Sequence, residues 1–183
     1  MVEIAKKVCM CGEPGVGKTS LVRQFVVGKY DDKYLSTLGT AVSKKTVSMS
    51  DLECNMNMML WDISGQVEFK RIHASAFNNS AGGLIIYDVS RPETKEKVKD
   101  WIVTFKRWAG DGISIVILGN KIDLVPESEV PKKGELFGYP FLPTSAKTGI
   151  NVNEAFTSIA RTIATSKDAA RSRKRWAGSD NRR

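Results

Sequence analysis

The stretch Gly12-Glu13-Pro14-Gly15-Val16-Gly17-Lys18-Thr19 decides the fold, because it joins an apolar run of strand length, residues 4–11 (IAKKVCMC), to a segment of helical period at 18–28. It fits G-x-x-x-x-G-K-[ST], and it lies between strand and helix, where that motif works. Glycines let consecutive backbone N–H groups turn toward one centre. With the helix N-terminus they cradle anionic oxygens. In this motif Lys18 reaches the β- and γ-phosphates of a nucleotide, and the Thr19 hydroxyl ligates Mg²⁺. Average residue frequencies give the pattern by chance in roughly one chain of this length in two hundred. An ordinary glycine-rich turn is therefore the poorer reading.

Outward from this loop, strand-length apolar runs alternate with helical segments. Residues 41–49 and 55–62 read as two strands joined by a short turn at 50–54, a hairpin. Further strands are expected at 84–89, 113–118 and 141–144. Between the first two of these, Val98, Trp101, Ile102 and Phe105 recur at helical spacing, and Ser90-x-x-Glu93 reads as a capping box opening that helix. The last helix carries Val152, Ala155, Phe156, Ile159, Ala160 and Ile163 on one face, with Asn151 as its N-cap. The expected architecture is α/β, a P-loop NTPase fold with a six-stranded, mostly parallel sheet and about five flanking helices.

The chain has 183 residues, about one domain's worth, and ordinary globular composition at 42% hydrophobic and 26% charged residues. Disordered and collagenous classes are excluded on that ground. Its formal charge of +8 is unevenly placed: residues 167–183 hold seven Lys and Arg against Asp168 and Asp180, which leaves only +3 on residues 1–166. The expected division is a compact domain at 1–166 and a flexible basic tail at 167–183. A near-neutral body argues against a broad nucleic-acid surface. No apolar run reaches the roughly 20 residues of a membrane-spanning helix, and the N-terminus lacks the pattern of a signal peptide. Three cysteines cannot all pair within one chain, which fits a reducing, cytoplasmic setting. Cys9 and Cys11 have C-x-C spacing but sit in an apolar run without a neighbouring His. Small core side chains are the expected reading over metal ligands.

Two further segments identify the base. Asn120-Lys121-Ile122-Asp123 follows the apolar run IVILG, and Thr144-Ser145-Ala146-Lys147 follows FLP. Both fall at the C-terminal ends of strands, where open α/β sheets bind ligands. A carboxylate at Asp123 accepts from the adjacent N1–H and 2-amino groups of guanine. Adenine offers no such donor pair, so the carboxylate selects against it.

Taken with Tyr34-Leu35-Ser36-Thr37-Leu38-Gly39 and Trp61-Asp62-Ile63-Ser64-Gly65-Gln66, these motifs make residues 3–165 resemble a Ras-superfamily small GTPase, nearest the Rab-like branch. The resemblance implies a Mg²⁺-dependent switch that binds and hydrolyses GTP and binds partners in one state better than the other. It implies phosphate contacts from Gly15, Val16, Gly17, Lys18, Thr19 and Ser20, and base contacts from Asn120, Lys121, Asp123, Ser145, Ala146 and Lys147. Tyr30 would cover the guanine and Tyr34 the phosphates. Thr19 and Thr37 would ligate Mg²⁺, with Asp62 holding it through water. Gly65 would donate to the γ-phosphate and Gln66 would orient the attacking water; Gln66, Lys18 and Thr37 form the implied catalytic set. An exchange factor, a GTPase-activating protein and effectors are implied, engaging residues 32–40 and 63–77. His73, four residues beyond Phe69 on an expected helix, is expected to face a partner or solvent, not to catalyse.

Several residues depart from the family pattern. Pro14 stands where relatives carry a small residue facing the γ-phosphate, and a proline there crowds Gln66 or an incoming arginine. Ile63-Ser64 and Val67 alter the second switch. These changes motivate an alternative, a GTP-gated binding module that hydrolyses little. The interval from Asp123 to Ser145 is shorter than usual and rich in Pro and Gly, so a stunted helix is expected there. No cysteine follows Cys54, so the prenylated C-terminus usual in the family is not expected. The tail, with Arg171, Arg173, Lys174 and Arg175 beside Trp176, is read either as a peripheral contact for an anionic membrane surface or as a solvated end.

Overall fold

The computed structural model describes residues 1–30, 39–63 and 75–166. In chain order the elements are β1 (Val2–Cys11), α1 (Lys18–Val27), β2 (Thr40–Met49), β3 (Cys54–Ile63), β4 (Gly82–Asp88), α2 (Pro92–Glu96), α3 (Val98–Ala109), β5 (Ser114–Asn120), β6 (Gly134–Leu136), β7 (Tyr139–Pro143) and α4 (Val152–Thr165). The strands form one sheet in the order β2-β3-β1-β4-β5-β7-β6. β1, β3, β4, β5 and β7 run parallel, while β2 pairs antiparallel with β3 and β6 with β7.

Alternation along β1 divides the core. Val8 and Met10 point into one apolar layer, under α1 and α4, and Cys9 and Cys11 into the other, under α3. Phe25 of α1 and Phe156 of α4 stack with ring centroids 4.0 Å apart, which locks the two helices on the first face. The apolar faces read from periodicity are the faces buried: Val98, Trp101, Ile102 and Phe105 in α3, and the six named residues of the last helix together with Ala164. Both cysteines at the C-terminal end of β1 are buried, as expected of core side chains. The Cys9 thiol contacts Ser80 Oγ at 3.0 Å, and burial pushes its pKa up to about 11.

Three local expectations are corrected. Among the described residues the sheet has seven strands, where six were expected. In place of a stunted helix between Asp123 and Ser145 stand two single 3₁₀ turns, at Ile122–Leu124 and Glu127–Glu129, and then the β6–β7 hairpin. The hairpin forms because Phe137 and Gly138 both take positive φ, 53° and 79°, the turn that suits a twisted two-strand ribbon.

The capping box also fails. Ser90 gives both its N–H (3.0 Å) and its hydroxyl (2.6 Å) to Asp88 Oδ1, so the N–H that a capping box would offer to the Glu93 carboxylate is taken by Asp88. Arg91 takes the N-cap position instead, with Pro92 at the first helical position. Asn151 does occupy the N-cap of α4, but its side-chain amide donates to the Pro143 carbonyl at 2.8 Å and caps nothing. Four complete α-helices stand among the described residues, and residues 75–77 are helical as well. Phe69 and His73, expected on a helix, lie outside the described residues.

Candidate nucleotide site

Parallel pairing sets the C-terminal ends of β1, β3, β4 and β5 side by side, with Asp62 opposite Met10 and Asp88 opposite Asn120. β1 lies between β3 and β4, so the chain leaves β1 at the point where the strand order reverses, the usual ligand crevice of such sheets. Residues 12–17 cross that crevice and α1 starts at Lys18.

Glycine is required here by space as well as by φ. Gly17 has φ +99°, and a Cβ on it would lie 2.3 Å from Asn120 Nδ2. Lys18 folds back over the loop, its ammonium donating to the carbonyls of Gly12 (2.7 Å) and Glu13 (3.0 Å). Burial pulls the Lys18 pKa down to about 8, against the pull of Asp62, so the cation is held in a poorly hydrated place where an anion would stabilise it. The Trp101 indole N–H donates to Glu13 Oε1 at 2.8 Å and tethers the loop to α3.

One residue joins the loop to the segment 144–146, which the sequence assigns to the base. Asn120 is buried; its amide nitrogen donates to Val16 O at 2.9 Å, and its Oδ1 accepts from Ala146 N at 3.1 Å and Thr144 Oγ1 at 3.3 Å. Asn120 and the Ala146 amide are thus engaged within the protein. Ser145 donates its hydroxyl to Asp123 Oδ1 and accepts from Thr148 N, fixing the plane of an exposed carboxylate. Lys121, in the left-handed region at φ 68°, reaches Asp88 Oδ2 at 2.7 Å. Lys147 is exposed at the same end, and Tyr30 is exposed just beyond α1.

The Mg²⁺ reading can be tested on Asp62 and Thr19. Thr19 Oγ1 donates to Asp62 Oδ2 at 2.5 Å. Asp62 Oδ1 is buried with no hydrogen-bond partner. Desolvation raises the Asp62 pKa even with Thr19 and Lys18 opposing it. An orphaned carboxylate oxygen next to a hydroxyl is an all-oxygen donor set of the kind a hard divalent cation satisfies. These residues fit Mg²⁺. Ser20 lies in the first turn of α1. Tyr34, Thr37, Gly65 and Gln66 lie outside the described residues, as does most of the expected partner surface at 32–40 and 63–77.

Two residues absent from the sequence reading belong to this site. Asp88 ends the apolar run of β4, and its buried side chain binds Lys121 and, at 3.1 Å, Arg91 Nε. Burial alone would raise its pKa, but hydrogen bonds from Lys121 and Ser90 hold it below the ordinary value. An Asp closing a run of buried apolar residues was the available signal. Arg91 itself carried none for its second contact, a 3.0 Å bond from Nη2 to the Pro14 carbonyl 77 positions away.

Comparison with known proteins agrees with this geometry. The sequence model of the Ras family matches residues 7–165. The chain is 36% identical to GTP-binding protein ypt5 of Schizosaccharomyces pombe, over 89% of its own length and 80% of that protein's. It is 34% identical to human Ras-related protein Rab-22A (86% and 82%) and 32% identical to Ras-related protein Rab-13 of Canis lupus familiaris (86% and 79%). With residues 12–19, Asp123 and a fitting cation site gathered at the C-terminal ends of the strands, and a family match over most of its length, the chain belongs to the Ras family, as a Rab-like GTP-binding and GTP-hydrolysing switch.

Proposed function

We propose that residues 1–166 form the switch domain and that one cleft reads both ends of the nucleotide. The observation that carries this is the Asn120 carboxamide, which bonds the phosphate loop at Val16 and the base-reading loop at Ala146. In this reading the amides of Gly15, Val16 and Gly17 and the ammonium of Lys18 bind the phosphate chain, and Asp123 accepts from guanine with Ser145 holding its plane. Thr19 would hold Mg²⁺, with Asp62 acting through water and Thr37 joining when GTP is bound; the ion would supply charge neutralisation to the phosphate chain. Gln66 orients a water that attacks the γ-phosphorus as the bond to the bridging oxygen breaks, giving GDP and phosphate. The loose transition state needs positioning and electrostatics more than a strong base.

Gly65 and Thr37 order the two switch segments when the γ-phosphate is present and release them after hydrolysis. With no arginine finger legible in the sequence, intrinsic turnover is slow and an activating protein accelerates it. The relatives named as Rab proteins support a role in membrane trafficking. No helix among the described residues is long and apolar enough to cross a membrane. On its charge, the basic tail is assigned a peripheral, electrostatic membrane contact, worth about 1 kcal/mol per basic residue near an anionic surface. Vesicle binding that survives deletion of 167–183 would refute that assignment.

Single-turnover release of phosphate from GTP-loaded protein tests the hydrolysis reading. The parent releases phosphate, and Gln66→Leu slows it at least about tenfold. Equal rates would leave Gln66 without a role and favour the module that holds GTP without turning it over.

A further inference from the structure

Three consecutive carbonyls of the phosphate loop are held by two cations from different elements. Lys18 takes those of Gly12 and Glu13. The third, on Pro14, accepts from Arg91 Nη2 at 3.0 Å. Arg91 is itself aimed by Asp88, which accepts from its Nε at 3.1 Å and from Lys121 at the base end at 2.7 Å. All peptide bonds described are trans, and in a trans peptide the C=O of one residue and the N–H of the next point in opposite directions. Drawing the Pro14 carbonyl toward Arg91 therefore turns the Gly15 N–H away from it. Proline contributes no N–H of its own, so the Gly15 amide is the first donor after Glu13 that this arm of the loop can offer.

We propose that Arg91 is a positioning residue, which sets the Gly15 amide toward the phosphate chain by holding the Pro14 carbonyl from the β4–α2 connection. The task requires a guanidinium. Its Nε and Nη2 form a rigid fork that meets the Asp88 carboxylate and the Pro14 carbonyl together, whereas a lysine amine is a single flexible point. The same contact gives Pro14 a use: its fixed φ and the Arg91 bond together limit the peptide that follows. Arg91 is 39% exposed and is not part of the core, so its replacement leaves the fold in place.

This inference rests on the nucleotide reading above, and the test separates the two. The full chain is loaded with GDP and Mg²⁺, and GDP release and the ³¹P resonance of the bound β-phosphate are measured. If the parent retains GDP and Lys18→Ala loses it, the site reading stands whatever Arg91 does. In Arg91→Ala, GDP is then expected to leave about tenfold faster, the loss of one charge-assisted hydrogen bond's worth of alignment, and the β-phosphate resonance is expected to move. Arg91→Lys follows the alanine variant in both readouts. The proposal is overturned if Arg91→Ala keeps the parental release rate and resonance, or if Arg91→Lys restores both, which would make the effect one of charge and not of an aligned peptide.

Discussion

The phosphate end and the base end of the cleft are built by opposite means. In the proposed site the phosphate end, residues 12–19, is one contiguous segment that would bind through backbone amides and Lys18, shaped by glycines and held by Lys18's bonds to Gly12 and Glu13. The base end is assembled from residues 120–123 and 144–148, which are joined by side-chain hydrogen bonds, with Asn120 and Ser145 as the joints. A contiguous backbone site survives most side-chain changes but not the loss of the group that closes it. A site assembled from separate strands depends on each joint.

Removing the closing group should have the largest effect. Lys18→Ala deletes a buried cation and leaves two loop carbonyls unpaired, so GDP affinity is expected to fall about a thousandfold, near 4 kcal/mol; calorimetric titration with GDP in Mg²⁺ measures it. Cutting the joint between the two ends comes next. Asn120→Ala leaves Val16 O and Ala146 N buried without partners, which lowers unfolding stability by about 3 kcal/mol. Urea unfolding of the nucleotide-free protein tests this, and unchanged stability would mean that the two ends are independent.

Asp123→Asn strikes the base end alone. GDP affinity should fall about a hundredfold, while inorganic pyrophosphate, which occupies only the phosphate loop, should compete as well as it does against the parent. A matching loss for pyrophosphate would erase the distinction between the ends. The smallest effect belongs to Ser145→Ala, which removes the hydrogen bond that orients Asp123 but keeps the carboxylate. A loss of about fivefold in GDP affinity, close to 1 kcal/mol, is expected.

The same contrast explains what the sequence made legible. The phosphate loop could be read because its chemistry is local: eight consecutive residues specify the turn, the lysine and the hydroxyl. The faces of α3 and α4 could be read because burial follows helical period, and Val98, Trp101, Ile102 and Phe105 are all buried. Asp123 and Ser145 were each visible as motif residues, yet their hydrogen bond spans 22 positions and has no local signature.

The misreadings have the same origin. Ser90 looked like a helix cap because Glu93 follows it at the right spacing, but Asp88 takes its donors. The segment before Ser145 looked like a shortened helix because its prolines and glycines were read as helix breakers. Gly134, Gly138 and Pro140 belong instead to a hairpin whose turn, Phe137-Gly138, tolerates a bulky residue at positive φ, while Pro126 caps a 3₁₀ turn. Asp88 and Arg91 went unread because a buried carboxylate and the cations it holds come together only when β4, β5 and the loop are placed.

The central claim is that one cleft selects its ligand by phosphate and by base together. Competition between GDP and ADP for the Mg²⁺-bearing full chain tests it most directly. The account predicts that GDP binds at least about a thousandfold more tightly than ADP, because adenine leaves the Asp123 carboxylate unpaired. Comparable affinities for the two would contradict it.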